Sequence, residues 1–403
     1  MSNEKKIILW SSIAHFLSHF HELIFPALVI PLTLSMKMEL AEIIKLSFFL
    51  YLLMGIGALP WGVIVDRFNN RFTLIVFFIG SGASACLTAL SHSGISLTIS
   101  LAMIGLFVSS YHPAGMGLIS LGVRNRGRAL GINGIAGSIG MASAPFAAGL
   151  LNWLFGWQAV YLLIGVMSLT LGGILLAVPI DETPVRKQDV ESAAEEANWN
   201  IGQFALLCMI MTLGGLAYRM NSLVLPACLE IKATFIWQYL ERLSLPNIAG
   251  TATMAATLLV TFVYLIGILG QWLGGLAADR HDLRWLYLIF HSLSLPFLIY
   301  MGSASGIWLV GSAAVYVFFA LGMQPAENSL VAWFNPERWR STGYGIKFIL
   351  FFGIGSTAVY VTAWIQKHWG ISAVFFFSGG MVAMMLAGIG WLIWLSRGEI
   401  CRN

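Results

Sequence analysis

Residues 15–31 read HFLSHFHELIFPALVIP, an apolar run that carries four ionisable side chains. In a helix, His15, His19 and Glu22 stand at i, i+4 and i+7, within about 60° of one another, and His21 points to the other side. An ionisable group inside an apolar span is costly unless it is paired or hydrated, so each is a candidate for function. A carboxylate beside imidazoles can take up and release a proton, with Glu22 as the exchange site and His19 or His112 sharing the proton. The same set, His15, His19, Glu22 and His112, has the donor chemistry of a transition-metal site. A third reading makes all four structural, hydrogen-bonding between helices. The residues leave these three open.

The second half of the chain holds a different set. Aligning Leu225-Pro226-Ala227 on Phe25-Pro26-Ala27 puts Arg219 and Asn221 in the region of His19 and Glu22. Gln324, Glu327 and Lys347 follow in later apolar runs. Arg219 and Lys347 suit an anionic substrate group, and Glu327 could neutralise one of these cations. An uncompensated Arg219 would repel a divalent ion. Tyr111, Tyr218 and Tyr344 are the aromatics expected to line a cavity, and His15, Tyr111, Asn221 and Gln324 complete the expected substrate contacts.

The surrounding composition is that of a membrane protein. Of 403 residues, 58% are hydrophobic and 10% charged, with mean hydropathy +0.81. A soluble domain carries about 25% charged residues. A helix needs about 20 apolar residues to cross a bilayer, and apolar runs at 7–35, 41–65, 72–91, 95–121, 127–152, 157–180, 200–228, 250–278, 283–302, 306–333, 341–366 and 371–396 give twelve spans. The first run is long and followed by others, so it is expected to stay as helix 1 and not to be cleaved as a signal peptide. The segment DETPVRKQDVESAAEEANWN, with six acids against two bases, divides the chain into residues 1–180, a cytoplasmic linker 181–199, and residues 200–403. With the N-terminus inside, cytoplasmic segments hold fifteen Lys and Arg against five outside. Both termini are therefore expected in the cytoplasm.

The halves repeat one another. Gly62, Asp66, Arg67 and Arg71 recur 213 residues on as Gly275, Asp279, Arg280 and Arg284. Pro113, Ala114, Arg126, Arg128 and Gly131 recur 212 residues on as Pro325, Ala326, Arg338, Arg340 and Gly343. Two parallel repeats in a membrane protein are the plan of many secondary transporters.

The Gly-x-x-x-Asp-Arg loop between helices 2 and 3, with its copy between helices 8 and 9, resembles the signature of the major facilitator superfamily. Here Asn69 and Asn70 replace the usual small and basic residues. The resemblance implies an all-α integral membrane protein of twelve helices in two six-helix bundles, with helices 1 and 4 lining a central cavity and no enzymatic activity. It further implies a cytoplasmic gate built from Gly62, Asp66, Arg67, Arg71, Asp279 and Arg280. In helix 5, Gly131, Gly140, Ala144-Pro145 and Ala148-Gly149 resemble the superfamily's antiporter motif, with alanine at two of its glycine positions. That motif implies proton-coupled efflux. Tyr111-His112-Pro113-Ala114-Gly115 resembles the fosmidomycin-resistance-type branch, which implies a monomeric bacterial inner-membrane exporter of small organic molecules, anionic ones among them. Import of a metabolite and carriage of a metal ion are the alternatives.

The expected partners are thus a small-molecule substrate, protons and the lipid bilayer. No nucleic acid is expected, since the net charge of +4 is small and sits in loops, and no enzymatic activity or cofactor, since there is neither a nucleotide-binding Gly-rich loop nor HExxH. Cys86, Cys208, Cys228 and Cys401 lie far apart and read as small hydrophobes. Residues 229–248 mix apolar and charged side chains at helical spacing, as an outer amphipathic helix would. His291 is expected to hydrogen-bond to a neighbour. Trp10, Trp61, Trp153, Trp157, Trp369 and Trp394 are expected as interfacial anchors.

Overall fold

The computed structural model describes residues 1–184, 201–242, 248–335 and 340–397. Among them there is no strand. Ten helices are long and apolar enough to cross a membrane, or twelve when each of two bent pairs counts as one span. Contacts divide the chain into two compact units, Met1–Ala194 and Glu195–Asn403. Most of the linker lies outside the described residues.

In the first unit, helix 1 is Asn3–Ala27 continued by Val29–Met36, and helix 2 is Leu40–Ile56 continued by Ala58–Phe68. Helices 3 to 6 are Asn70–Ala89, Gly94–Gly122, Arg126–Phe155 and Trp157–Ala177. Helix 1 bends by 52° between its two parts. The cause is Pro26, which lacks an N–H and so leaves the carbonyl of Glu22, four residues earlier, without its helical donor. Tyr51 of helix 2 supplies the replacement, its hydroxyl donating to the Glu22 carbonyl at 3.4 Å. Helix 2 bends by 44° at Gly57, where Pro60 removes the donor to Ile56. Helix 5 lies directly on helix 1, because a side chain at Gly140 would run into the Phe16 carbonyl. Small residues allow this approach of two backbones.

In the second unit, helices 7 and 8 are Ile201–Lys232 and Ile248–Ala278, joined through a short amphipathic helix, Phe235–Arg242. That helix falls within the expected outer segment, of which residues 243–247 lie outside the described residues. Helices 9, 10 and 12 are Leu283–Met301, Gly306–Trp333 and Ala373–Leu395. Helix 11 is not uniform. An α-helical start, Arg340–Phe348, passes into a π turn at Ile349–Gly353 and a 3-10 turn at Ile354–Thr357 before Ala358–Trp369 restores the α-helix. Gly215 of helix 7 faces this irregular stretch, 2.8 Å from the Phe351 carbonyl as measured from the position a Cβ would take.

Two expected interfacial anchors are core residues instead. Trp10 is buried edge-on against Phe78, and Trp157 is buried with its Nε1 donating to Ser35 Oγ at 2.9 Å. Nearness to a span end marks depth in the bilayer, whereas the helix face decides whether the ring meets lipid or a neighbouring helix. Trp369 and Trp394 are exposed. Cys86, Cys208 and Cys228 are free thiols, and Cys401 lies outside the described residues.

The repeated arginines cap helix ends. Arg71, at the start of helix 3, donates to the carbonyls of Leu175, Leu176 and Val178 at the end of helix 6, at 2.8–3.0 Å. Arg284, at the start of helix 9, donates to the Ser396 carbonyl just beyond helix 12 at 2.6 Å and pairs with Asp282 at 2.7 Å. A cation there satisfies carbonyls that the helix leaves unpaired and meets the negative end of its dipole. In the first unit Glu182 completes the arrangement, accepting from the backbone N–H of Asn70 and of Arg71 at 3.0 and 2.8 Å. Beside it, the hydroxyl and then the N–H of Thr183 hold the Asp181 carboxyl below the usual carboxylate range. Because Arg284 is buried, Arg284→Ala should lower the stability of the purified protein by about 2 kcal/mol. The half-buried Arg71 should cost less when replaced by Ala. Unfolding midpoints in detergent check both, and a wild-type midpoint for Arg284→Ala would remove the cap from the stability of this unit.

Candidate functional site

The sequence-predicted residues of the first unit come together. Helix 1 presents His15, His19 and Glu22 on one face, helix 4 presents Tyr111 and His112, and helix 5 presents Asn133. Glu22 is 1% exposed, and its Oε2 lies 3.0 Å from His19 Nδ1. The His15 ring stacks on Tyr111 with centroids 4.8 Å apart, and lies 5.0 Å from His19 and 5.6 Å from His112. His15 Nδ1 is 2.8 Å from the Asn133 carbonyl, and the Tyr111 hydroxyl donates to Asn133 Oδ1 at 2.8 Å. His21 points away, its Nε2 lying 3.3 Å from Ser168 Oγ of helix 6. Two of the imidazole nitrogens are thus occupied by Asn133 and Glu22. Among the described residues no group of three His, Cys, Asp or Glu side chains converges as metal ligands would.

The expected cations of the second unit are buried in different surroundings. Lys347 Nζ lies 2.7 Å from Glu327 Oε1 and donates to Asn328 Oδ1 at 2.6 Å. The other carboxylate oxygen of Glu327 accepts from the Tyr287 hydroxyl at 2.7 Å. Arg219 is 1% exposed, its guanidinium 5.8 Å from the Tyr218 ring centre and 5.9 Å from that of Phe352. Asn221 is buried, and Gln324 Oε1 accepts from Gln271 Nε2 at 3.0 Å. The Tyr344 side chain lies outside the described residues. A cavity of ≈ 20 Å³ inside this unit is bordered by Tyr218, His291, Tyr316, Gln324 and Phe351. It has room for about one water. His291, expected to hydrogen-bond, instead meets Tyr287 edge-on at 4.8 Å, and its Nε2 has no hydrogen-bond partner among the described residues.

The loop residues expected as a gate sit at the surface. Asp66, Arg67, Asp279 and Arg280 are exposed and Gly62 is half-buried, while Arg71 is engaged within its own unit as described above. In the helix 5 motif, Gly140, Pro145 and Gly149 are buried and Gly131 is exposed. Asn133, Tyr51, Tyr287 and Asn328 join these networks without being singled out by the sequence. Each is an uncharged polar residue in an apolar helix, and only the identity of its partner marks it. For Tyr51 a signal exists, since Pro26 announces an orphan carbonyl at Glu22.

Comparison with known proteins agrees with this architecture. Residues 11–227 match the family model described as "Major Facilitator Superfamily". The chain is 25% identical over 314 residues to the putative niacin/nicotinamide transporter NiaP of Bacillus subtilis (strain 168), covering 72% of this chain and 71% of that protein. It is 22% identical over 380 residues to the riboflavin transporter RibZ of Clostridioides difficile (strain 630), covering 76% and 81%. The inward-open xylose transporter XylE of E. coli superposes with a TM-score of 0.74 at 14% identity, over 99% of this chain and 98% of that one. Family and fold are those of membrane transporters with many passes through the bilayer. The match to the family model spans helix 1 to helix 7, the stretch that carries the whole imidazole–carboxylate cluster, and the chain belongs to the Major Facilitator Superfamily.

Proposed function

We propose that the chain is a proton-coupled antiporter that exports a small organic, anionic compound by alternating access from a bacterial inner membrane, with both termini cytoplasmic. The observation that carries this reading is the pairing of the buried Glu22 carboxylate with the half-buried His19 ring. A carboxylate that is 1% exposed and 3.0 Å from one imidazole is stable either as an ion pair or, with the proton moved, as a neutral pair. Such a pair exchanges a proton whenever its access changes, and Glu22 and His19 hold it, with His112 beside them. In the second unit Lys347 is neutralised by Glu327, and Arg219, set beside two aromatic rings, is the contact for an anionic group. Asp66, Arg67, Asp279 and Arg280 serve the cytoplasmic gate. The antiporter-like motif of helix 5 supports export, and relatives named for niacin/nicotinamide and riboflavin support a small organic cargo.

The test is proton movement in proteoliposomes under an imposed pH gradient, with niacin, other organic anions, lipophilic drugs and divalent metals added in turn. Glu22→Gln should fold and lose proton coupling, and unchanged proton-driven transport in that variant would take Glu22 out of the mechanism. The Glu327–Lys347 pair is expected to act on stability. Glu327→Gln leaves a buried cation uncompensated and should cost about 3–5 kcal/mol. The double variant Glu327→Gln/Lys347→Met should recover most of that loss, as a rise in unfolding midpoint. A midpoint as low as that of the single variant would show that the loss comes from packing instead of charge.

A further inference from the structure

A backbone carbonyl only accepts hydrogen bonds. The 2.8 Å contact between His15 Nδ1 and the Asn133 carbonyl therefore fixes a proton on Nδ1, and in the neutral ring this leaves the lone pair on Nε2. The Asn133 carbonyl belongs to a helix, where its usual partner is the N–H of residue 137, one turn on. Residue 137 is glycine. A Cβ there would sit 2.6 Å from His15 Cε1 and Nε2. The spacing Asn133-x-x-x-Gly137 thus opens a slot on helix 5 into which the ring from helix 1 lies flat, and Tyr111 covers it from helix 4 at 4.8 Å. The Tyr111 hydroxyl is itself bound to Asn133 Oδ1 at 2.8 Å, so one residue orients both rings. His15 is half-buried, and Nε2 makes no hydrogen bond among the described residues. The titratable groups around the ring are His19 and, further along helix 1, Glu22, with Tyr111 and His112 from helix 4. Helix 5 offers none.

We infer that His15 Nε2 is a fixed hydrogen-bond acceptor for a donor group of the substrate, an amide or amine N–H or a hydroxyl, and that Asn133 and Gly137 are the residues that position it. The inference rests on the reading of this cluster as the transport site. His15 is then a specificity residue, held in one tautomer while its neighbours exchange the proton.

The test uses the full-length chain in lipid nanodiscs. With histidine side chains labelled by ¹⁵N, the His15 signals are those missing from His15→Asn. They should show a neutral ring with its proton on Nδ1, and Gly137→Ala should mix the two tautomers. A predominant Nε2–H tautomer in the wild type, or an unchanged one in Gly137→Ala, overturns the slot. Binding is read by thermal shift with matched probes, each a primary amide, primary ammonium or alcohol beside its dimethylamide, trimethylammonium or methyl ether counterpart, which has no donor. Donor compounds should bind about tenfold more tightly than their counterparts, and His15→Phe should abolish the difference. Equal binding of the members of each pair, or no binding by any, overturns the acceptor role. Where Gly137→Ala does not fold, the His15→Asn and His15→Phe variants decide. Loss of proton coupling in Glu22→Gln together with equal binding of matched probes sinks this inference alone. Retained coupling in Glu22→Gln sinks the reading beneath it.

Discussion

The first unit depends on how closely two helix backbones meet. At Gly140 helix 5 lies against the backbone of Phe16, and one turn earlier Gly137 lies under the ring of His15. Any side chain at these positions would push helix 1 outward and separate the imidazoles from Asn133. Apolar burial gives no sideways force between helices in lipid, so contact must come from packing and hydrogen bonds between them. Here the packing contact at Gly140 and the polar contact at Asn133 lie within about two turns of helix 5. Gly140, one of the small residues that resemble an antiporter motif, thus lies one turn beyond Gly137, the floor of the polar cluster.

The bend of helix 1 works with that contact. Pro26 breaks the hydrogen-bond ladder at the carbonyl of the residue whose side chain faces His19, and Tyr51 of helix 2 takes up the orphan group. Backbone and side chain of Glu22 are thus held by different helices. A bilayer offers no water to satisfy a broken ladder, so a kink in a membrane helix needs a donor from a neighbouring element. The duplicated arginines follow the same rule at helix ends, where Arg71 and Arg284 supply what helices 6 and 12 leave open.

Much of this is legible in the sequence because its main signals are one-dimensional. Charge content and apolar run length announce the spans, and the helical period sorts His15, His19 and Glu22 from His21. The repeat offset by itself pairs Arg71 with Arg284. What cannot be read is the register of one helix against another. Asn133 is chemically ordinary until the Tyr111 hydroxyl and the His15 ring reach it. The choice of Glu327 for Lys347, and not Arg219, depends on which faces of helices 10 and 11 meet. The burial of Trp10 and Trp157 escapes the sequence for the same reason: a position near a span end gives depth, not direction.

Helix 11 carries one more consequence. A π turn holds one residue beyond the α repeat, and each residue is about 100° of rotation about the helix axis. The turn at Ile349–Gly353 begins two residues after Lys347. Were the extra residue taken up one turn nearer the N-terminus, the segment holding Lys347 would swing by that angle with no helix unfolded. Its ammonium group would leave the Glu327 carboxylate, and a neutral buried pair would become two separated charges. In the present arrangement the looser π turn runs directly into a tighter 3-10 turn at Ile354–Thr357, so the extra residue of the first is offset by the second and the phase of Ala358–Trp369 is kept.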